Sequence, residues 1–140
     1  MTPRQIQEVF RVLSHLCETP NQNAGKLHWC IGFGSLAMCV FKVGITEIFH
    51  KIGKKQFKPA EAISFLTTLD HGHVNWWFAL LFSGDGLNVP EDIKFNDLVQ
   101  SASLNNNGLE INDFYNGWGY GSKNRFSQIY EKIQEIDQWK

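Results

Sequence analysis

The chain has 140 residues, of which 43% are hydrophobic and 19% charged, and its formal net charge is −1. This composition excludes an intrinsically disordered chain, whose apolar content is too low to form a core. The length predicts one globular domain over residues 1–140. No apolar run approaches the roughly 18 residues that a membrane helix needs, so we expect no membrane partner.

The small net charge hides an uneven distribution of charges. Up to residue 59, eight Lys and Arg residues oppose three acidic residues, whereas from residue 60 onward five oppose eleven. The first part of the chain therefore carries a charge of +5 and the second a charge of −6. This division predicts either attraction within the fold or separate basic and acidic faces for partners, and the sequence leaves both open.

The first predicted element is an amphipathic helix over residues 3–18. Apolar residues recur there at intervals of three and four: Ile6, Val9, Phe10, Leu13, Leu16 and Cys17. Thr2 can cap this helix, Gln5 completes a capping box, and Pro20 cannot continue the ladder. We expect the apolar stripe to pack against the rest of the domain.

Two segments in the middle of the chain are predicted to be β-strands. Residues 27–33 and 74–82 are rich in aromatic and β-branched side chains and are bounded by Gly, Asn or Asp, as buried strands usually are. Residues 35–43 fit a strand or a buried helix equally well. Short helices are predicted over residues 46–52, 59–69 and 90–102.

The last predicted element is a second amphipathic helix, over residues 123–138. Its apolar stripe consists of Phe126, Ile129, Tyr130, Ile133 and Ile136. Together the elements predict an α+β fold, in which a small β-sheet is packed by about five helices. An all-α fold is the alternative, because a short apolar run does not distinguish a strand from a buried helix.

Residues 114–121 alternate Gly with Tyr and Trp and are predicted to form a loop that carries large rings. Such rings are typical of binding surfaces, because they bury much area with few rotatable bonds. We expect a partner to contact this loop through Trp118, Tyr120, Tyr115 and Asp113. The alternative is a loop folded over the core, in which Trp118 is buried.

The cysteines predict a reducing compartment. Cys17, Cys30 and Cys39 form no Cys-x-x-Cys pair, and we expect them to be reduced thiols. The amino terminus also leads directly into the first helix, without the apolar stretch of a secretory leader. These features predict a cytoplasmic protein.

Cys30 is also a candidate nucleophile. A helix amino terminus or an adjacent imidazole lowers the pKa of a thiol, and a third polar group orients the imidazole. His73 opens the second apolar run, and Asp85 or Asn88 follows it by 12 or 15 residues. This order of Cys, His and polar residue resembles that of the papain-like cell-wall peptidases. The resemblance implies a cysteine hydrolase with Cys30, His73 and Asp85 in the catalytic roles.

A metal site is a further possibility around the histidines. His71 and His73, with Asp70 or Asp85, would supply the two-His, one-carboxylate set that suits iron or zinc. Gly72 between the histidines indicates a turn at least as well, and we expect no metal.

Two other patterns point to phosphate ligands. Gly32, Gly34 and Ala37 have the spacing of a dinucleotide-binding turn, but no acidic residue follows about 20 positions later. Close packing explains these glycines more simply, and we expect no cofactor.

A basic stretch contains His50, Lys51, Lys54, Lys55 and Lys58 beside Phe57. No nucleic-acid-binding motif surrounds it, so we do not expect nucleic acid as a partner.

Two hypotheses of function follow. The first is a small cytoplasmic protein-binding module that acts by occupying a partner, as inhibitors, immunity proteins and adaptors do. Aromatic residues beside the acidic part of the chain favour a basic protein as that partner. The alternative is the cysteine hydrolase that uses Cys30 and His73.

Overall fold

The structure, a computed structural model, describes residues 2–18, 28–90, 92–102, 104, 110–119 and 123–137, without the side chains of residues 15–18 and 137. These residues contain eight α-helices and one 3₁₀ turn: α1 (Pro3–Glu18), α2 (Trp29–Gly44), α3 (Thr46–Gly53), α4 (Pro59–Leu69), the 3₁₀ turn (His71–His73), α5 (Val74–Ser83), α6 (Phe95–Ser101), α7 (Ile111–Trp118) and α8 (Arg125–Asp137). No β-strand occurs within the described ranges.

The predicted α+β fold is therefore wrong, and the all-α alternative is correct. Residues 29–33 of the first predicted strand belong to α2, and residues 74–82 belong to α5. Helix α5 is enclosed on nearly all sides, with six buried residues: Val74, Phe78, Ala79, Leu80, Leu81 and Ser83. A helix that is buried all round has no polar face, so its sequence lacks the 3.6-residue period that would distinguish it from a strand.

The helices with clear start signals lie where the sequence predicts them. Helix α1 spans the predicted residues 3–18, and its capping box forms: the Gln5 backbone N–H donates to Thr2 Oγ1 (3.2 Å), and the Thr2 N–H donates to Gln5 Oε1 (2.9 Å). Helices α3 and α4 are confirmed as well. The helix predicted over residues 90–102 begins only at Phe95, because Lys94 before it is extended.

Helix α1 buries only part of its apolar stripe. Val9 and Val12 are buried where α1 packs against α2 and α8, but Ile6 is 44% and Phe10 62% exposed. The expectation that the whole stripe packs against the domain is therefore wrong for Ile6 and Phe10. The stripe is wider than the surface that the two neighbouring helices cover.

Helix α2 lies at the centre of the packing. It contacts α1, α3, α7 and α8, while α5 packs against α4 and α7. The inner side of α2 presents Cys30, Gly34, Met38 and Phe41 at intervals of three and four residues, and all four are buried. This arrangement places one long side of α2 in the core.

Trp118 is the largest fully buried side chain, with 1% of its surface exposed. Its indole Nε1 donates to Ser83 Oγ (2.8 Å), and its ring lies 5.0 Å from that of Phe126. A Cβ on Gly34 would lie 2.5 Å from the ring, and one on Gly84 2.6 Å from it. The indole therefore fits between two backbone segments because neither has a side chain at that point.

Replacing Trp118 by Ala is expected to lower the free energy of unfolding by about 3–5 kcal/mol, because a large cavity opens and Ser83 loses its donor. Urea unfolding measures this loss. Tyr115 lies on the same helix and is 42% exposed, so Tyr115→Ala is the matched control and should cost less than about 1 kcal/mol. An unchanged midpoint for Trp118→Ala would show that the ring is not part of the core.

Candidate functional site

The aromatic segment near residue 118 is not the exposed loop that its composition predicts. Residues 114–118 lie in α7, where Phe114 and Trp118 are buried. Of the predicted partner-binding residues, Trp118 is thus a core residue, while Tyr115 and Asp113 are exposed. Tyr120 lies outside the described residues.

Gly117 explains why this glycine-rich segment is helical. A Cβ on Gly117 would lie 2.5 Å from the Trp29 ring and 2.6 Å from Cys30 Sγ. The glycine therefore allows α7 to approach the first turn of α2 closely, instead of breaking the helix. Gly119, with a φ of 103°, ends α7 in a conformation that favours glycine.

Cys30 meets one condition of a nucleophile and fails the other. Helix α2 begins at Trp29, so Cys30 stands in its first turn, as the hydrolase hypothesis requires. The thiol, however, is fully buried and donates to the carbonyl oxygen of Phe114 (3.4 Å). Burial raises the pKa of Cys30 to about 12, which opposes formation of the reactive thiolate.

The structure does not bring the other proposed catalytic residues to Cys30. Because residues 74–82 are helical, His73 stands at the start of α5, where its exposed ring binds Asp70 (Nδ1–Oδ1, 2.9 Å). The Asp85 carboxylate accepts a hydrogen bond from the Asn124 backbone N–H (2.8 Å). Among the described residues, no hydrogen bond joins Cys30 to His73, Asp85 or the exposed Asn88.

Asp85 instead fastens α8 to the end of α5. Its backbone φ is 60°, in the left-handed region, and its carboxylate holds the residue just before α8. The Phe126 N–H also donates to the carbonyl oxygen of the neighbouring Gly84 (3.1 Å). The bond to Asn124 gives Asp85 a structural function, and the bond between Phe126 and Gly84 joins the same two segments.

In the described part of the chain, the histidine pair is not joined by a third metal-ligating side chain, and the aromatic residue of the basic stretch is buried. His71 and His73 are exposed on the 3₁₀ turn, and no three His, Cys, Asp or Glu side chains gather there or elsewhere in that part as a metal site would require. In the basic stretch, Phe57 is 1% exposed and Lys51 binds Glu61 (2.6 Å) and Glu47 (3.4 Å).

The sequence patterns missed an apolar surface on the outer side of α2. Trp29, Phe33 and Leu36 are 42%, 45% and 40% exposed. Spacings of four and three residues place them on one side of the helix. We call these three residues the α2 face.

The rings of the α2 face are held in place by aromatic neighbours. The Phe33 ring lies 5.2 Å from Trp76 in a T-shaped arrangement, and Trp29 lies 6.1 Å from Trp76 and 5.3 Å from Phe114. Aromatic pairs in such geometries are worth about 0.5–1.5 kcal/mol each beyond the burial of their surface. The exposed rings are therefore preorganised, because their inner edges belong to a packed cluster.

The α2 face leaves a trace in the sequence. In the 16 residues of α2 the only charged side chain is Lys42, and a helix that is apolar on every side is normally buried on every side. Here one side remains in contact with solvent.

Within the described ranges, no helix combines the length and apolarity that crossing a membrane would require.

Asp70 gives one edge of this aromatic cluster a negative charge. Its Oδ2 accepts a hydrogen bond from Trp77 Nε1 (3.1 Å), and the Trp77 ring lies 4.9 Å from that of Trp76. Hydrogen bonds from His73 and Trp77 lower the pKa of Asp70, so its carboxylate remains ionised at neutral pH.

Comparisons with protein-family models, with curated proteins and with solved structures give no significant match.

Cys30 is expected to resist iodoacetamide at pH 8.5 in the native protein, because its thiol is buried and protonated. Peptide mapping by mass spectrometry should find it labelled only after urea is added. Labelling of native Cys30 well below pH 8 would contradict this and would favour the hydrolase hypothesis.

The same burial predicts a loss of stability at high pH. Because the folded pKa lies above the ordinary value of 9.0, the neutral thiol stabilises the fold below pH 9, and this contribution disappears as the pH rises toward about 12. Cys30→Ala should show a shallower decline of the urea midpoint over this range than the parent protein.

Asp85→Ala is expected to lower the free energy of unfolding by about 2 kcal/mol, because it removes a charge-assisted hydrogen bond and places Ala at a positive φ. Asp85→Gly removes only the bond and should cost less. Asp85→Asn keeps an acceptor and tolerates this backbone, so it should cost least. A reversed order in urea unfolding would rule out the fastening function.

Proposed function

We propose that this chain is a small protein-binding module that acts in the cytoplasm by occupying a partner, as inhibitors, immunity proteins and adaptors do. The observation that supports this proposal is the α2 face. It replaces Trp118 as the anchor, since Trp118 belongs to the core.

The α2 face has the properties of an interface anchor. Contiguous apolar side chains on a protein surface mark interaction sites, whereas scattered ones do not. Trp29 and Phe33 are the kinds of large ring that dominate binding energy, and their aromatic neighbours fix them before a partner arrives. A partner would therefore meet a rigid surface and would not have to order it.

The exposed area is large enough to contribute substantially. An aromatic side chain buries roughly 150–250 Å², so Trp29 and Phe33 together have on the order of 200 Å² left to cover. At about 25 cal/mol per Å², this is worth on the order of 5 kcal/mol before the cost of association. Such a contribution can anchor an interface.

The state of the thiols supports the cytoplasmic part of the proposal. Cys30 is buried, and its thiol donates to a backbone carbonyl oxygen instead of forming a disulfide. Buried reduced thiols are the usual state of cysteines in a reducing compartment.

Photocrosslinking tests the position of the interface. With p-benzoylphenylalanine in place of Phe33, irradiation in cells of the protein's own source should give a discrete adduct, because a bound partner covers this ring. The same reagent in place of Phe10, which is 62% exposed on α1, is the matched control and should give much less. Equal yields at the two positions, or none at position 33, would contradict the proposal.

Loss of the adduct provides the second measurement. Leu36→Ala in the chain that carries the crosslinker should weaken partner binding by about tenfold or more, because it removes one third of the α2 face. The change should cost no more than about 2 kcal/mol of stability, since the side chain is 40% exposed. An undiminished adduct would show that the α2 face is not the contact.

A further inference from the structure

Within the described residues, α5 and the start of α7 bring only negative charge to the α2 face. Helix α5 supports the α2 face through Trp76 and contains no charged residue. Helix α7 contains Asp113, and Glu110 is the residue immediately before this helix. Lys42 is the one cation of α2, and it follows Phe33 by nine residues, or two and a half turns. It therefore lies on the opposite side of the helix from Phe33.

Asp113 lies on the side of α7 that meets the α2 face. It precedes Gly117 by four residues, and Gly117 is the point at which α7 touches Trp29. Residues four apart on a helix lie about 5–6 Å from each other on one side. The Asp113 side chain is exposed, so its carboxylate is open to a partner that covers Trp29.

Asp70 supplies negative charge at the other edge. It is joined to the cluster through its hydrogen bond from Trp77, whose ring packs on Trp76. The exposed His73 shares this carboxylate. A cation bound here would therefore compete with His73 for the Asp70 carboxylate.

We infer that the partner of the α2 face is a basic protein segment, with Arg or Lys side chains next to an apolar anchor. This inference rests on the proposed function and adds the chemical class of the partner. An Arg guanidinium can stack on the face of an exposed ring while pairing with a carboxylate such as Asp113. The aromatic rings supply contact area, and the carboxylates select the sign of the partner's charge.

A second copy of this chain fits the surface less well. In a symmetric dimer both partners use the same patch, so the carboxylates of the two faces would share one interface. Like charges at an interface are unfavourable unless they are paired. A basic segment from a different protein meets the same surface without this repulsion.

Selection from a displayed library of random peptides tests the inference. The library is selected at pH 8 against the wild-type protein, and sequences that also bind the variant with Phe33→Ala and Leu36→Ala are subtracted. The remaining peptides should be enriched in Arg and Lys beside Trp, Phe or Leu. Remaining peptides that are neutral or acidic would overturn the inference and leave the proposed function intact.

The other outcomes are equally decisive. If no peptide distinguishes wild type from the double variant, the proposed function and this inference both fail. If sedimentation shows a wild-type dimer that the double variant lacks, a second copy occupies the face and the inference is overturned.

A charge reversal gives an independent readout with an enriched basic peptide. Asp113→Lys should weaken its binding about tenfold or more, because it places a cation beside Trp29. Asp97 is the matched control, since it too is exposed and is the third residue of a short helix, α6. Asp97→Lys should change the affinity less than about threefold, and equal effects of the two variants would contradict a contact at Asp113.

Discussion

The position of the Trp118 indole is the constraint on which the rest of the structure depends. The ring fits against α2 at Gly34 and against the end of α5 at Gly84, and its N–H is bonded to Ser83. Any larger residue at either glycine would have to displace the ring. With Trp118 in this position, α7 passes close to the first turn of α2, and the edge of the Trp29 ring lies against Gly117. The packing of the buried Trp118 thus determines the orientation of the exposed Trp29.

These close contacts show why glycine occurs so often in this helical protein. Glycine inside a helix costs roughly 1 kcal/mol relative to alanine, and both Gly34 and Gly117 lie within helices. Each offsets that cost by allowing a ring to reach the helix backbone. The Trp118 ring lies against Gly34 and the Trp29 ring against Gly117, yet the glycines of residues 114–121 predict a loop where Gly117 is helical. Composition alone does not distinguish these two uses of glycine.

The sequence predicts those elements whose boundaries are encoded locally. Helix α1 has its capping box at Thr2 and Gln5, and α4 has a proline at its first position. Residues 29–33 at the start of α2 and residues 74–82 of α5 are predicted as strands, because neither segment has the polar face that reveals a helix. The sequence does not predict the α2 face for the same reason, because Phe33 lies in a segment that is predicted to be a buried strand. The order of Cys30 and His73 along the chain likewise does not predict whether their side chains meet in the fold.

The location of α7 in the chain has a consequence for synthesis. Cys30 bonds to Phe114 across 84 residues, and Trp118 bonds to Ser83 across 35. During translation α2 therefore leaves the ribosome long before the helix that covers its first turn exists. For that interval the first turn of an almost uncharged helix lacks the cover that α7 provides, and exposed apolar surface of this kind makes nascent chains prone to aggregate. The low charge of α2, which leaves its outer side apolar in the finished protein, therefore favours aggregation of the unfinished chain until α7 has been made.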